Sequence, residues 1–218
     1  PGRIAVVYPA VDEKRFRPGL TVDDLRGALG LGASQKLILS VGRLQRRKGF
    51  DNVVRSLPAL VAQGLDVHYA LIGTGEDLDY LKGLISELGL EKRVHLLGHV
   101  SYEDLPRWYN ACDVFAMPNR DINGDTEGFG LVFLEAAASG KPSLAGDTGG
   151  TGSAVVHGET GLRVDGERVA EVADALARLL RDTELSQAMG RQGRERVFAN
   201  FTQERRLEQL RELAKGRS

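Results

Sequence analysis

Cysteine is all but missing from this 218-residue chain, in which Cys112 stands alone. That excludes an internal disulfide framework and fits a reducing compartment. No apolar run approaches the roughly 20 residues that a membrane-crossing helix needs. The start lacks a signal-peptide pattern, having one charge and a short apolar run, Ile4–Tyr8, between Pro1 and Pro9. Excess charge of one sign is missing as well. The formal net charge is -1, so no electrostatic argument favours nucleic acid as a partner. Internal repeats and low-complexity tracts are absent. A cytoplasmic protein is the expectation, and the abrupt opening on an apolar run reads as a cut at a domain boundary.

What is present is ordinary in bulk. Hydrophobic residues make up 42% and charged residues 27%, as in soluble globular domains, and the length suits one domain with a buried core. The charge is unevenly spread: residues 178–218 hold ten Lys or Arg against six Asp or Glu. A solvated helical face accounts for this, and peripheral contact with a membrane or with another domain is the alternative.

Short β-branched, apolar runs alternate with stretches of helical period. The runs predict strands at Ile4–Tyr8, Lys36–Val41, Val67–Ile72, Arg93–Leu97, Val114–Met117 and Pro142–Ala145, with shorter ones at Ala154–His157 and Leu162–Val164. Helices are expected at about 49–62, 76–88, 102–111, 129–139, 167–180, 183–199 and 202–215, with Ser101 and Asp104 as a capping signal. Such alternation implies parallel strands joined by right-handed crossovers, hence a Rossmann-like, doubly wound α/β sheet followed by C-terminal helices. Sheets of this kind bind ligands outside the carboxyl ends of their strands, which singles out the loops after Val41, Ile72, Leu97, Met117 and Ala145.

The first of these loops runs Gly42-Arg43-Leu44-Gln45-Arg46-Arg47-Lys48-Gly49. Arginine grips phosphate oxygens with a planar fork and lysine supplies a compact charge, so four cations between a strand and a helix suit a diphosphate. A merely solvated basic turn would look the same. A second feature is Glu127-Gly128-Phe129-Gly130-Leu131-Val132-Phe133-Leu134-Glu135-Ala136. The helix is apolar nearly all round and should be buried. A carboxylate there costs several kcal/mol unless paired or hydrogen-bonded. Hydroxyls of a bound ribose would satisfy Glu135; an exposed stripe or a buried arginine are the plainer alternatives. Gly128 and Gly130 sit where a helix N-terminus would favour phosphate. On one helix, Glu127 and Glu135 would lie roughly 12 Å apart, beyond the about 5–9.5 Å of paired glycosidase carboxyls.

These strings, with Val94-His95-Leu96-Leu97-Gly98-His99-Val100, Ala111-Cys112-Asp113-Val114-Phe115 and Gly149-Gly150 ahead of Gly158-Glu159-Thr160-Gly161, resemble the group 1 (family 4) glycosyltransferases of GT-B fold from about residue 4 to 213. Val11-Asp12 followed by Phe16 resembles that family's interdomain linker. The resemblance implies the nucleotide-sugar (donor) half of a retaining transferase that moves a sugar to a hydroxyl acceptor, a sugar or lipid-linked glycan intermediate, without a divalent metal or other cofactor. Arg43 and Lys48 match the diphosphate clamp and Glu127 the glutamate near the donor sugar, the set expected to be catalytic. For donor binding, Glu135 matches the ribose-binding glutamate, Gly42, Gly128, Phe129, Gly130 and Leu131 the backbone contacts to sugar and phosphates, and Val100 the place where the base packs. The N-terminal acceptor domain of the family is absent from the chain. Two departures stand out: Pro9-Ala10 replaces an Asn-Gly in the linker, and Thr151-Gly152-Ser153-Ala154 follows Gly149-Gly150 where a proline and a glutamate are common.

Other strings fail their tests. Asp77-Leu78-Asp79 falls within an expected helix, where i and i+2 diverge. His95 and His99 belong to a strand and its loop, and His68 and His157 lack neighbouring ligands, so no metal site is expected. No P-loop or dinucleotide fingerprint is complete. Two rival functions remain: a non-catalytic nucleotide-sugar-binding module, and another GT-B enzyme such as an epimerase or phosphorylase.

Overall fold

Buried apolar runs of strand length alternate with helices whose apolar faces cover them. In the computed structural model, which describes residues 5–215, the order is α1 (Asp23–Ala28), β1 (Lys36–Val41), α2 (Phe50–Ala62), β2 (Val67–Ile72), α3 (Leu78–Glu87), β3 (Val94–Gly98), α4 (Leu105–Ala111) and β4 (Val114–Met117). Then come α5 (Leu131–Ala138), β5 (Ser143–Gly146), β6 (Gly161–Val164), α6 (Val169–Arg181), α7 (Thr183–Asn200) and α8 (Gln203–Lys215).

The six strands form one parallel sheet in the order β3-β2-β1-β4-β5-β6. Register runs from Lys36 opposite Val67 to Val41 opposite Ile72 on one side of β1, and pairs Leu39 with Phe115 on the other. Every residue of β2 and β4 is buried, as expected for parallel strands covered on both faces. A buried relay crosses three strands, the Tyr69 hydroxyl donating to Ser40 Oγ at 2.8 Å and Ser40 to the Ala116 carbonyl at 2.5 Å. Helices α2 and α6 pack together, and α5 packs against α7. The apolar stripe of α6, including Val172, Leu176, Leu179 and Leu180, is buried. By contrast α8 buries no residue, and Leu207, Leu210 and Leu213 remain exposed. No helix among the described residues is long and apolar enough to cross a membrane.

Expectation and structure part at several elements, three of them outside the crevice. The described residues of the Ile4–Tyr8 run form no strand; Ile4 lies outside the described residues. Val6 is 70% exposed, and Tyr8 instead lies against Phe129 and Phe201. An apolar run becomes a strand only beside a free ladder, and here the chain pairs only through the Val11–Thr202 bridge. The Ala154–His157 run is likewise no strand, because the Val156 N–H donates to Thr160 Oγ1 at 2.9 Å, leaving an isolated His157–Gly161 bridge. Helix α1 was not anticipated. Its six residues are too few to show a period, and Arg26 holds it by donating to the carbonyls of Ala111 (2.8 Å) and Gln35 (2.5 Å).

Two glycines within helices predict opposite outcomes. Open space surrounds Gly83 in α3, whereas a Cβ on Gly190 in α7 would overlap the Gly140 carbonyl oxygen. Glycine costs a helix about 1 kcal/mol relative to alanine. Gly83→Ala should therefore raise Tm by about 2–4 °C, while Gly190→Ala should lower it despite the better helix former. Calorimetric melts of both variants check this, and a stabilised Gly190→Ala would contradict the α5–α7 packing.

Candidate functional site

Sheet order reverses between β1 and β4, so the connections leaving them run to opposite sides and a crevice opens at their carboxyl ends. The loop after β1 contains the turn Arg46–Lys48 and ends at Gly49, which adopts φ 74°. A Cβ on Gly49 would overlap the Pro118 carbonyl oxygen just past β4. The missing side chain thus lets the two loops touch.

That contact brings Lys48 onto Glu127. The Lys48 ammonium pairs directly with Glu127 Oε2, and Arg47 Nη1 lies 3.2 Å from the same oxygen. The Phe129 N–H lies near enough to the Glu127 carboxylate to help lower its pKa. Burial pushes this carboxyl upward, but the Lys48 hydrogen bond and charge, joined by Arg47, outweigh it and hold the pKa below its ordinary value. Behind it the Gly150 N–H donates to the Glu127 carbonyl at 2.8 Å, and a Cβ on Gly150 would overlap the Gly128 carbonyl oxygen. Buried Asn119 ties the loops after β4 and β5: its Nδ2 donates to the Thr148 carbonyl at 3.1 Å, and its Oδ1 accepts from the Gly146 N–H at 3.1 Å. Thr151, in the segment that departs from the family pattern, is fully buried and donates to the Gly146 carbonyl at 2.7 Å.

Gly128 is exposed, Phe129 half-buried and Gly130 buried. Helix α5 starts only at Leu131, with Gly130 before it at φ 83° and no side chain capping that end. Its first N–H groups are left for solvent or an anion. This corrects the helix expected from 129: Glu127 precedes the helix, so the axial spacing inferred for Glu127 and Glu135 does not apply. The Phe129 ring stacks on Tyr8, with centroids 5.3 Å apart.

Glu135 is buried at 7% exposure, inside α5. Neither plain alternative for it holds: it is buried rather than on an exposed stripe, and no arginine among the described residues pairs with it. The Tyr109 hydroxyl donates to its Oε2 at 2.7 Å. Burial raises the Glu135 pKa, and the Tyr109 hydrogen bond offsets only part of that. Burial and, after it, the nearby Glu135 carboxylate raise the pKa of Tyr102. Tyr102, Val100, Gly42 and Arg43 line one open cavity of about 380 Å³ with Gly73, Thr74 and His99. Val100 is half-buried and Arg43 exposed. The structure thus gathers Gly42, Arg43 and Val100 in one cavity, and Lys48, Glu127, Gly128 and Phe129 at the neighbouring loop contact.

The four cations are not equivalent. Arg46 lies 3.4 Å from Asp77 and stacks over the Tyr80 ring at 3.5 Å, so it serves the protein surface. Arg43 makes no ion pair among the described residues. Sequence reasoning missed the roles of Tyr109, which reaches Glu135 from a helix 26 residues upstream, and of Arg47. His68 Nδ1 and His95 Nε2 are 3.2 Å apart in a stacked pair at the opposite end of β2. Among the described residues no three His, Cys, Asp or Glu side chains gather as a metal cage.

Comparison with known proteins places this geometry among relatives. A family model described as glycosyl transferases group 1 matches residues 22–196. The chain is 38% identical over 211 residues to the GDP-mannose-dependent alpha-(1-6)-phosphatidylinositol monomannoside mannosyltransferase of Mycobacterium tuberculosis, covering 95% of this chain and 54% of that protein. It is 38% identical to the D-inositol 3-phosphate glycosyltransferase of Corynebacterium urealyticum, covering 97% of this chain and 50% of that one. Among solved structures, Anabaena HepE in complex with UDP and glucose superposes with a TM-score of 0.85 at 27% identity, over 97% of this chain and 57% of that one. The chain spans about half the length of the curated relatives it matches.

The raised pKa of Glu135 makes a stability prediction. A carboxyl whose folded pKa lies above its unfolded value contributes most below the unfolded value and loses that contribution as pH rises through the folded one. Glu135→Gln keeps an acceptor for Tyr109 and removes the charge. Its Tm should gain on that of the unsubstituted chain as pH rises from 4 to 8. A Tm difference flat across that range would show that Glu135 is not held against the stability of the fold.

Proposed function

The chain belongs to the group 1 glycosyl transferases, and from that premise we propose that it binds a nucleoside-diphosphate sugar whose glycosyl group is transferred to a hydroxyl acceptor. The observation that carries the reading is the meeting of Lys48 and Glu127 beside the Arg43 cavity, at the point where sheet order reverses. Arg43 and Lys48 face the diphosphate, and Glu127 accepts from hydroxyls of the donor sugar. Backbone groups of Gly42, Phe129, Gly130 and Leu131 line the phosphates and sugar. Glu135 takes ribose hydroxyls beside Tyr109, and the base packs at Val100. As the sugar–phosphate bond breaks, negative charge collects on the leaving diphosphate. Fixed cations stabilise that charge, and losing one such group typically costs about 10²–10³ in rate. Transfer with retention follows from the family resemblance.

GDP-mannose is our choice of donor, because four relatives at 36–38% identity are named for it. The same names support a lipid-linked acceptor such as a phosphatidylinositol glycan. The acceptor site we assign to a second, N-terminal half outside this chain. We place the reaction at the cytoplasmic face of a membrane, with peripheral contact through the exposed leucines and arginines of α8. The phosphates are held by side chains and backbone, with no metal.

Calorimetric titration with GDP, UDP and ADP in EDTA tests the reading. One diphosphate should bind selectively, and Arg43→Ala or Lys48→Ala should weaken it at least tenfold while leaving the free nucleoside within about threefold, as loss of a charged hydrogen bond implies. Equal losses for both ligands would sink the clamp assignment.

A further inference from the structure

Arg47 holds more of the crevice together than any other cation, and nothing in the phosphate-clamp reading uses it. Its Nη1 is 3.2 Å from Glu127 Oε2 and donates to the Thr126 carbonyl at 3.4 Å. Its Nε lies 3.1 Å from Asp125 Oδ2, but the N–H is not aligned for a hydrogen bond and has no other acceptor. Its own carbonyl accepts from the Arg120 N–H at 2.8 Å. Arg47 therefore grips both ends of the 120–127 segment.

That segment is otherwise a small closed loop. Ile122 and Asp125 exchange backbone hydrogen bonds of 3.1 and 3.0 Å, the Gly124 N–H donates to Asp121 Oδ1 at 2.7 Å, and Asn123 sits at φ 54°. Arg120 is anchored by a buried ion pair with Asp51 at 2.9 Å. Among the described residues, Arg47 and Lys48 are the two that tie the far limb, residues 125–127, back to the basic turn.

We propose that Arg47 is a positioning residue for the sugar of the donor, an inference that rests on the reading above. Lys48 and Arg47 share one Glu127 oxygen. A diphosphate competes for Lys48, because a compact ammonium moves readily to a doubly charged partner. Arg47 stays behind. Through its planar fork and the Asp125 contact, it keeps the Glu127 carboxylate ionised and aimed at the sugar after Lys48 has turned away. Without it, Glu127 either retains Lys48 or swings out with its loop.

The test compares the Kd of GDP with that of GDP-mannose, or of whichever nucleotide and nucleotide-sugar pair the chain binds, for the unsubstituted chain, Arg47→Ala, Arg47→Lys and Asp125→Asn. Arg47→Ala should lower the ratio of sugar-nucleotide to nucleotide affinity by about tenfold, the order expected for a lost charged hydrogen bond. Arg47→Lys should restore part of that ratio and Asp125→Asn should reduce it less. A general structural defect would weaken both ligands alike and leave the ratio unmoved. An unmoved ratio overturns the proposal, whether both affinities fall together, as for a phosphate ligand or a structural support, or neither changes. Amide hydrogen exchange of the ligand-free chain supplies a second measure: Ile122, Asp125 and Phe129 should exchange faster in Arg47→Ala at unchanged Tm, and equal exchange overturns the tether. Should the unsubstituted chain bind no nucleotide, the donor reading itself falls, and this inference with it.

Discussion

Parallel pairing of β1 with β4 is the constraint on which the candidate site depends. Connections from β1 lead to β2 and β3, and those from β4 lead to β5 and β6. The loops after β1 and β4 thus emerge side by side. What fills the gap is decided by how closely backbone can approach backbone. Gly49 lies on the Pro118 carbonyl and Gly150 on the Gly128 carbonyl, so at these two points main chain meets main chain. Side chains at those two positions would separate the loops and part Lys48 from Glu127. Buried Asn119 completes the assembly by holding the loop after β5 against the loop after β4.

The same residue type then takes on two characters within nine positions. Glu127 lies among cations and a backbone N–H, which favour its charged form; Glu135 lies in an apolar helix with one phenol, which does not. Their pKa values are moved in opposite directions by charge pairing in one case and desolvation in the other. A carboxylate held ionised is a ready acceptor for hydroxyls. A carboxylate held at a cost to stability gains most when a ligand supplies the donors that the protein withholds. Both properties accord with the polyhydroxylated ligand proposed above.

Much of this was legible beforehand. Lys36–Val41, Val67–Ile72 and Val114–Met117 match the observed strands residue for residue, since central parallel strands buried on both faces are nearly continuous apolar runs. Ile4–Tyr8 has the same composition and is no strand, because a ladder needs a partner and the run itself does not record one. In the site, Arg43, Lys48, Glu127 and Glu135 were visible as charged residues beside glycine or inside apolar helix. Tyr109 was not, since its hydroxyl arrives from another helix. Nor was the division of labour in the basic turn, where Arg46 turns to Asp77 and Tyr80 and its neighbour Arg47 turns to Asp125 and Glu127. Adjacent residues in a tight turn diverge, and composition alone cannot rank them.

Charge balance closes the account of the crevice. Arg47 and Lys48 are matched by Asp125 and Glu127, so that cluster is formally neutral without a ligand. Arg46 is matched by Asp77. Arg43, exposed on the adjoining cavity, is the cation of this loop left without an ion pair among the described residues. A diphosphate entering here adds at least two negative charges. Arg43 and the uncapped start of α5, worth roughly half a charge, do not offset them alone. On the reading proposed above, the remainder would come from Lys48 leaving Glu127, and Glu127 would then need Arg47 and hydroxyl donors from the ligand itself. In that arrangement a nucleotide with its sugar completes the site electrostatically, whereas a nucleotide without one leaves Glu127 short of partners.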